Sequence, residues 1–263
     1  MVKLSEISNI IENYAPSSLK MDFDNVGLLI GDRDRNINRV LIALEITEQV
    51  IDEAVEINAE LIVTHHPVLF SLKSITPETP QGKRVMKLLE HKISAICMHT
   101  NLDIVSGGVN DALAAIAGLS VIGPLADGGI DQSGKIYGIG RTGKLGRKMP
   151  MSEFLAFLKN ALHTNGLRYY DSGRPVYHVA VGGGSCGEYL EEAVKLGCDT
   201  FLTADIKYDS FLDARYYQLN LIDGDHFCTE NVVTPVLLRW LSKAFPDLNV
   251  QISKSHGQTV QFF

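Results

Sequence analysis

Apolar residues along the chain fall alternately into short continuous runs and into helically spaced positions. RVLIALEI (39–46), AELIVTHH (59–66) and ISAICMHT (93–100) have the continuous apolar runs that are typical of buried strands. Between them, TEQVIDEAVEIN (47–58) and QGKRVMKLLEHK (81–92) have the apolar spacing of amphipathic helices. Strands that alternate with helices predict a largely parallel sheet with helices on its faces.

The second half of the chain repeats this pattern after the glycine-rich stretch ADGGIDQSGKIYGIGRTGKLG (126–146). Its predicted helices and strands are, in order, MSEFLAFLKNAL, PVYHVAVGGG, CGEYLEEAVKLG, DTFLTAD, KYDSFLDARYYQ, LNLIDGD and TENVVTPVLLRWLSKAF. We therefore predict an α/β fold with two similar halves, residues 1–125 and 126–263, each with a mostly parallel sheet. The glycine-rich stretch is expected to link the halves, and a later return of the chain would make the domains discontinuous.

Composition narrows the class of protein. The 263 residues are 45% hydrophobic and 21% charged, which is ordinary for a soluble globular protein. The net charge of −7 argues against a nucleic acid as partner, and no apolar run has the length of a membrane span. The absence of a signal-peptide pattern at the start predicts a cytoplasmic protein. The cysteines lack C-x-x-C spacing and are expected to be reduced, with Cys228 either a buried thiol or an oxidation-sensitive one.

Potential metal ligands cluster directly after the predicted strands. The clusters are His65 and His66; His99, Asn101 and Asp103; and Asp225, His226 and Glu230. One histidine at a strand end is more often a hydrogen-bonded or exposed side chain, but three coincident clusters favour a shared site. Ligands of parallel sheets gather at the carboxyl ends of the strands, so we expect a metal site in the cleft between the halves.

The spacing of these residues suggests two ions. Neighbouring side chains on extended backbone point to opposite sides, so His65 and His66 would each hold a different ion. Glu230 follows His226 by four residues, which places both on one helical face, and a carboxylate can bridge two ions. Imidazoles mixed with carboxylates such as Asp103 suit Zn, Fe, Mn, Co or Ni rather than Mg or Ca. Open positions on both ions would make the site catalytic.

Five stretches in order along the chain, DFDNVGLLIG, IVTHHP, HTNLD, TADIKY and DGDHFCTE, resemble the NIF-three-like family, whose members are often labelled GTP cyclohydrolase I type 2 homologues. The resemblance implies a fold with a dinuclear metal site between two α/β domains and no inserted middle domain in this chain. It also implies a ring-shaped homohexamer, a trimer of dimers. The implied metal ligands are His65, His66, Asp103, His226 and Glu230, with Glu230 bridging the ions.

Two ions that share a water or hydroxide and lower its pKa favour a metal-dependent hydrolase, and the family label makes a nucleotide, GTP, the candidate small-molecule substrate. The catalytic residues beyond the metal ligands stay unassigned. A non-catalytic metal-binding or scaffold protein that acts through the ring is the alternative. Asp209 departs from the family pattern, which usually has a histidine lining the site, so a proton-transfer role there is in doubt. The glycine-rich turn in VGGGSCGEYL (181–190) either binds a phosphate or is only structural.

Overall fold

The computed structural model describes residues 1–71, 74–130 and 134–263. The strands are β1 Val2–Lys3, β2 Gly27–Ile30, β3 Asn36–Ile37, β4 Arg39–Ala43, β5 Leu61–Thr64, β6 Ser94–Cys97, β7 Ser120–Gly123, β8 Ala126–Ile130, β9 Ile136–Ile139, β10 Arg141–Met149, β11 Arg168–Tyr170, β12 Val176–Val181, β13 Thr200–Thr203, β14 Asn220–Asp223 and β15 Asn249–Ile252. The α-helices are α1 Leu4–Tyr14, α2 Glu48–Glu56, α3 Pro80–Glu90, α4 Thr100–Ile104, α5 Val109–Ile116, α6 Met151–Ala161, α7 Leu190–Lys195, α8 Tyr208–Tyr217, α9 His226–Glu230 and α10 Thr234–Ala244. Among these described residues, no helix combines the length and the apolar character that a bilayer crossing requires.

The chain forms two compact units. The first unit is Met1–Leu102 with Thr234–Gly257, and the second is Asp103–Val233 with Gln258–Phe263. This division differs from the expected boundary at 125/126. Helix α5 packs against strands of the second unit, and the chain returns to the first unit with α10 and β15, so both units are discontinuous in sequence.

The first unit contains a five-stranded sheet in the order β15-β4-β5-β6-β2. The four strands from β15 to β6 are parallel, and β2 is antiparallel at the edge. Strands β5 and β6 are buried throughout, as their apolar runs predict. Their last residues, Thr64 and Cys97, are register partners, so the residues that follow both strands leave the sheet at the same edge.

The second unit contains a six-stranded sheet in the order β11-β14-β13-β12-β10-β7. Its centre, β14-β13-β12, is parallel, and antiparallel strands flank it on both sides. Helices cover both faces, because α5 and α6 pack in one apolar cluster and α7 and α8 in another. The predicted α/β class with parallel strands central to each sheet is confirmed.

The glycine-rich stretch is not the expected linker. It forms strands β8 and β9, which pair antiparallel, and most of β10, which lies within the second sheet; residues 131–133 of the stretch are outside the described residues. The pairing of β8 with β9 requires glycine, because a Cβ on Gly138, whose φ is +123°, would clash with the Cα of Gly128. Its glycines therefore serve close strand approach rather than flexibility.

A second difference lies near the C-terminus. The single helix predicted over 229–245 is divided: α9 ends at Glu230, a 3₁₀ turn covers Asn231–Val233, and α10 begins at Thr234. The unit boundary falls at the start of α10, so the segment that carries His226 and Glu230 belongs to the second unit, and α10 belongs to the first.

Candidate metal centre

In the first unit, two histidines follow β5 on a bent backbone. The backbone N–H groups of His65 and His66 both donate to the carbonyl oxygen of Leu44, at 3.1 and 2.8 Å. The two imidazole rings consequently lie with their centroids 5.0 Å apart. The backbone turns here and is no longer extended, so the alternation of a strand does not describe the two rings; that His65 and His66 hold different ions stays a prediction.

A third imidazole joins them from the end of β6. The His99 ring centroid lies 5.2 Å from that of His65 and 5.7 Å from that of His66. One potential ligand atom of each histidine lies within 4.8 Å of those of the other two. His99 followed a predicted strand, but it was not among the ligands that the family resemblance implied.

Each of these imidazoles is oriented through its Nδ1 atom. His65 Nδ1 lies 2.9 Å from the carbonyl oxygen of Met98. His66 Nδ1 lies 3.1 Å from Glu45 Oε2, and His99 Nδ1 lies 2.8 Å from Asp24 Oδ1. Because all three neighbours are oxygen acceptors, each Nδ1 carries the proton and ligation is directed to Nε2. Histidines that bind metals in proteins are usually held in this way.

Asp24 is the most deeply embedded of these orienting groups. Its side chain is fully buried, and it accepts hydrogen bonds from the backbone N–H and the hydroxyl of Thr100, at 2.9 and 2.5 Å. Burial alone would raise the pKa of Asp24, but the hydrogen bonds from Thr100 and His99 lower it below its usual value. The carboxylate therefore stays charged. Sequence reasoning missed Asp24 and Glu45, although Asp24 lies within the DFDNVGLLIG stretch.

In the second unit, His226 and Glu230 lie at the two ends of α9. His226 Nε2 and Glu230 Oε2 are 3.0 Å apart, as the spacing of four residues favours. Two atoms that bind the same ion at about 2.1 Å and at a right angle are also about 3 Å apart. On its other side, His226 Nδ1 lies 2.7 Å from Asp205 Oδ2. Asp205, in the TADIKY stretch, is a further orienting residue that sequence reasoning missed.

The negative charges of Glu230 and Asp205 control the protonation of the His226 imidazole. Burial would lower the pKa of the imidazole, but Glu230 and then Asp205 raise it to about 9. In the metal-free protein the ring is thus a cation at neutral pH, held between two carboxylates. A divalent cation that replaced the proton would be attracted by the same two carboxylates.

Asp103 and Glu230 both influence the thiol of Cys186 in the second unit. After burial, which is the largest effect, both carboxylates raise the pKa of the Cys186 thiol. Asp103 is also tethered through its backbone, since its carbonyl oxygen accepts from Asn110 Nδ2 at 3.0 Å. Cys228 is buried, and burial raises its pKa to about 12, so it is a structural thiol rather than a reactive one.

The glycine-rich turn of 181–190 packs against Glu230. The Gly183 N–H donates to Asn110 Oδ1 at 2.9 Å, and the Gly184 N–H donates to Thr229 Oγ1 at 3.1 Å. These N–H groups are used within the protein, which favours the structural role over phosphate binding. A Cβ on Gly184 would lie only 2.0 Å from Glu230 Oε1, so the turn forms a close-fitting wall beside the carboxylate.

A cavity of about 340 Å³ lies within the second unit, and Asp205 is one of its walls. Its lining is strongly acidic, with five carboxylates and one lysine. The lining residues are Ser185, Gly187, Glu188, Leu190, Glu191, Asp205, Lys207, Asp209, Ser210, Asp213 and Tyr217. Asp209, which stands where the family usually has histidine, is therefore a cavity residue.

The five residues predicted as ligands are thus grouped within each unit. His65 and His66 lie together in the first unit, and His226 and Glu230 lie together in the second, where Asp103 also belongs. Imidazole and carboxylate groups with fixed orientation fit a divalent transition-metal ion. In addition, the structure places His99 beside His65 and His66 and shows that Asp24, Glu45 and Asp205 orient the imidazoles.

Comparison with known proteins identifies the family. A protein from Clostridium perfringens is 40% identical over 240 residues, covering 90% of this chain and 89% of its own length. One from Clostridium acetobutylicum is 38% identical over 251 residues, covering 95% and 93%. Both are named GTP cyclohydrolase 1 type 2 homolog. A crystal structure of a hypothetical protein from Staphylococcus aureus is similar with a TM-score of 0.91 and 30% identity over 99% of both chains. The family model for Duf34/NIF3 (NGG1p interacting factor 3) matches residues 2–259, and the chain belongs to this family.

Proposed function

We propose that this protein is a metal-dependent hydrolase that uses two divalent transition-metal ions. The ligands in this proposal are His65, His66, Asp103, His226 and Glu230, with Glu230 bridging the ions. The observation that carries it is the oriented donor set, in which an oxygen acceptor engages the Nδ1 atom of each of the three ligand histidines. Side chains held this way before an ion arrives lose little conformational freedom on binding it.

Bound divalent ions would supply Lewis acidity and lower the pKa of water toward neutrality. The protein's own residues have defined tasks around them. Glu45 and Asp205 hold His66 and His226 in the tautomer that ligates through Nε2. Gly184 leaves room for the Glu230 carboxylate. Five protein ligands for two ions leave positions open for substrate, which distinguishes a catalytic from a structural site.

The names of the relatives make GTP the first substrate to test. The acidic cavity that Asp205 helps to line bears on that choice, because its five carboxylates repel a polyanion unless cations offset the charge. We therefore pair GTP with guanosine, which presents the same ring without the triphosphate. Turnover of guanosine but not of GTP would identify the purine ring as the reacting group and show that the triphosphate prevents binding.

The decisive experiment is a turnover screen of chelator-stripped protein reloaded with Zn, Fe, Mn, Co or Ni. GTP, guanosine and simple phosphoesters are offered to wild type, His65→Ala and the control His91→Ala, which changes an exposed histidine at the end of α3. We expect His65→Ala to lose at least about 100-fold in rate, which exceeds the cost of losing an outer partner. Equal background rates in all three would exclude the hydrolase and favour the metal-binding or scaffold protein.

Metal content tests the dinuclear site separately. Elemental analysis of wild type is expected to give two ions per chain, and Glu230→Ala at least one fewer, since a bridging carboxylate serves both ions. Glu153→Ala is the matched control, because Glu153 lies on the exposed side of α6 and pairs with Arg147. Identical metal content in the two variants would remove Glu230 from the site.

Assembly into a ring-shaped homohexamer, a trimer of dimers, is part of the same proposal and rests on the family resemblance. Light scattering should give the mass of six 28.9 kDa chains. A monomeric mass at micromolar concentration would exclude the ring, and with it a scaffold function that depends on it.

A further inference from the structure

A second cavity lies in the first unit, at the end of β6 opposite to the histidines. Its volume is about 460 Å³, and it is lined by residues from the end of β2, the end of α3 and the start of β6. We propose that this cavity binds a monocarboxylate with an unbranched apolar chain, such as a medium-chain fatty acid. None of the proposed metal ligands belongs to the cavity, so this inference is independent of the hydrolase proposal.

The apolar part of the lining suits a hydrocarbon chain. Ile30, Leu88 and Ile93 are buried, and Leu89 beside them is 54% exposed. A chain in contact with these residues would remove the Leu89 side chain from water, which is a favourable transfer. A cavity of this size with an apolar wall and a few polar groups is typical of small-molecule binding sites.

A buried hydroxyl group in the lining indicates a hydrogen bond to a ligand. Ser94, the first residue of β6, lines the cavity and is only 1% exposed. Its Oγ atom forms no hydrogen bond with any residue that the structure describes. Buried polar groups in proteins are nearly always hydrogen-bonded, so each exception requires an explanation. A carboxylate that accepts from the Ser94 hydroxyl would provide one.

The backbone at Gly31 leaves room beside this hydroxyl. The pairing of β2 with β6 ends at Ile30 and Ala95, so Gly31 leaves the sheet one residue before it would pair with Ser94. Gly31 also lines the cavity, and a Cβ there would lie 2.5 Å from Ser94 Oγ. A side chain at position 31 would therefore fill the space beside the hydroxyl, whereas glycine leaves that space to a ligand atom.

The charges of the lining favour an anion. Arg35 and Lys92 both line the cavity, and within the described part of the chain neither side chain forms an ion pair. Asp32 is the single carboxylate of the lining, and its Oδ1 atom accepts from the backbone N–H of Asp34 at 3.0 Å. Two cations against one carboxylate complement a ligand with one negative charge. The guanidinium of Arg35 has the geometry that binds a carboxylate through two hydrogen bonds.

Calorimetric titration of the full-length protein with octanoate tests the ligand class. We expect saturable binding of one octanoate per chain. Butyrate should bind at least about tenfold more weakly, because each methylene that the cavity buries strengthens binding by up to about fourfold. Octylamine, which has the same chain and the opposite charge, should also bind at least about tenfold more weakly. Equal affinity for octanoate and octylamine, or no saturable binding of octanoate, would overturn the inference.

Two variants test the polar groups. Arg35→Gln should weaken octanoate binding at least about tenfold, as the loss of a charged hydrogen bond does. The control Arg33→Gln removes the same charge from an exposed residue outside the cavity and should leave the affinity unchanged.

Ser94→Ala should weaken octanoate binding by about three- to tenfold while the melting temperature of the unliganded protein stays the same or rises, because an unsatisfied buried hydroxyl is removed. Unchanged affinity in both Arg35→Gln and Ser94→Ala would overturn the inference.

A Leu89→Asp variant distinguishes a small ligand from a second copy of the chain, which could also cover an exposed leucine. The variant should lose octanoate binding and keep the wild-type mass in light scattering. A lower mass would show that this face is a contact between chains and would overturn the inference. None of these measurements requires metal or turnover, so their failure is distinct from failure of the hydrolase proposal.

Discussion

The Oε1 atom of Glu230 lies 2.0 Å from the position that a Cβ on Gly184 would take, which is too close for a side chain there. Gly184 has a φ of +63°, which itself favours glycine, and its N–H is anchored on Thr229. The position of the proposed bridging carboxylate is therefore coupled to the backbone of the turn that follows β12.

Gly184→Ala is expected to displace the Glu230 carboxylate. The end of a glutamate side chain can move, so the loss of stability should be limited to about 1 to 2 kcal/mol from the left-handed backbone. Metal content should fall by at least one ion per chain. Thermal unfolding and elemental analysis measure the two effects, with Gly187→Ala as control because a Cβ there meets nothing within 4 Å. Unchanged metal content in Gly184→Ala would contradict the role of this contact.

Asp205→Ala should weaken metal binding by about 10- to 100-fold, because His226 loses the acceptor that sets its tautomer. Asp205→Asn keeps an oxygen acceptor and should recover part of the affinity. Chelator competition measures both variants. Asp213→Ala is the matched control, since Asp213 is another carboxylate of the same cavity. Equal losses for the two alanine variants would indicate a general charge effect in place of a specific contact.

Asp111→Asn should destabilise the second unit strongly. Arg141 is fully buried, and both of its paired nitrogens donate to the Asp111 carboxylate, at 2.8 and 2.9 Å. Loss of the carboxylate leaves a buried guanidinium without its counter-charge, which costs about 3 kcal/mol. Urea unfolding measures this cost. Glu153→Gln, which breaks the exposed pair with Arg147, should cost less than about 1 kcal/mol.

Glu53 should make the first unit sensitive to acid. Its carboxylate accepts from Ser253 Oγ and from the backbone N–H groups of Lys254 and Ser255, at 2.5, 3.0 and 3.0 Å. Burial would raise its pKa, but these hydrogen bonds lower it below the ordinary 4.5. The folded state therefore favours the charged form, and the stabilisation is present above pH 4.5 and disappears as pH falls through the lowered pKa.

Glu53→Gln should accordingly lower the free energy of unfolding by about 1 kcal/mol at neutral pH, because glutamine keeps one acceptor oxygen but loses the charge that strengthens these hydrogen bonds. The difference from wild type should shrink toward zero as the pH falls below 4.5 and through the lowered pKa. Urea unfolding across this range provides the measurement. A difference that is independent of pH would show that the carboxylate charge contributes nothing.

The core strands were predictable from the sequence because their signal is local. Buried runs such as Leu61–Thr64 and Ser94–Cys97 are apolar on both faces, which is characteristic of parallel strands beneath helices. The glycine-rich stretch was misinterpreted because glycine has no side-chain pattern. The approach of Gly128 to Gly138 exists only after β8 and β9 pair.

The sequence by itself determined the fold class, the strand ends where histidines collect, and the pairing of His226 with Glu230, since a spacing of four residues brings side chains together on any helix. Only the tertiary structure decided which residues orient them. Asp24 reaches His99 across 75 positions, and Asp205 reaches His226 across 21. Such contacts depend on strand order and on the exit of neighbouring strands at one sheet edge. These are properties of the packed chain as a whole, so no local pattern of residues encodes them.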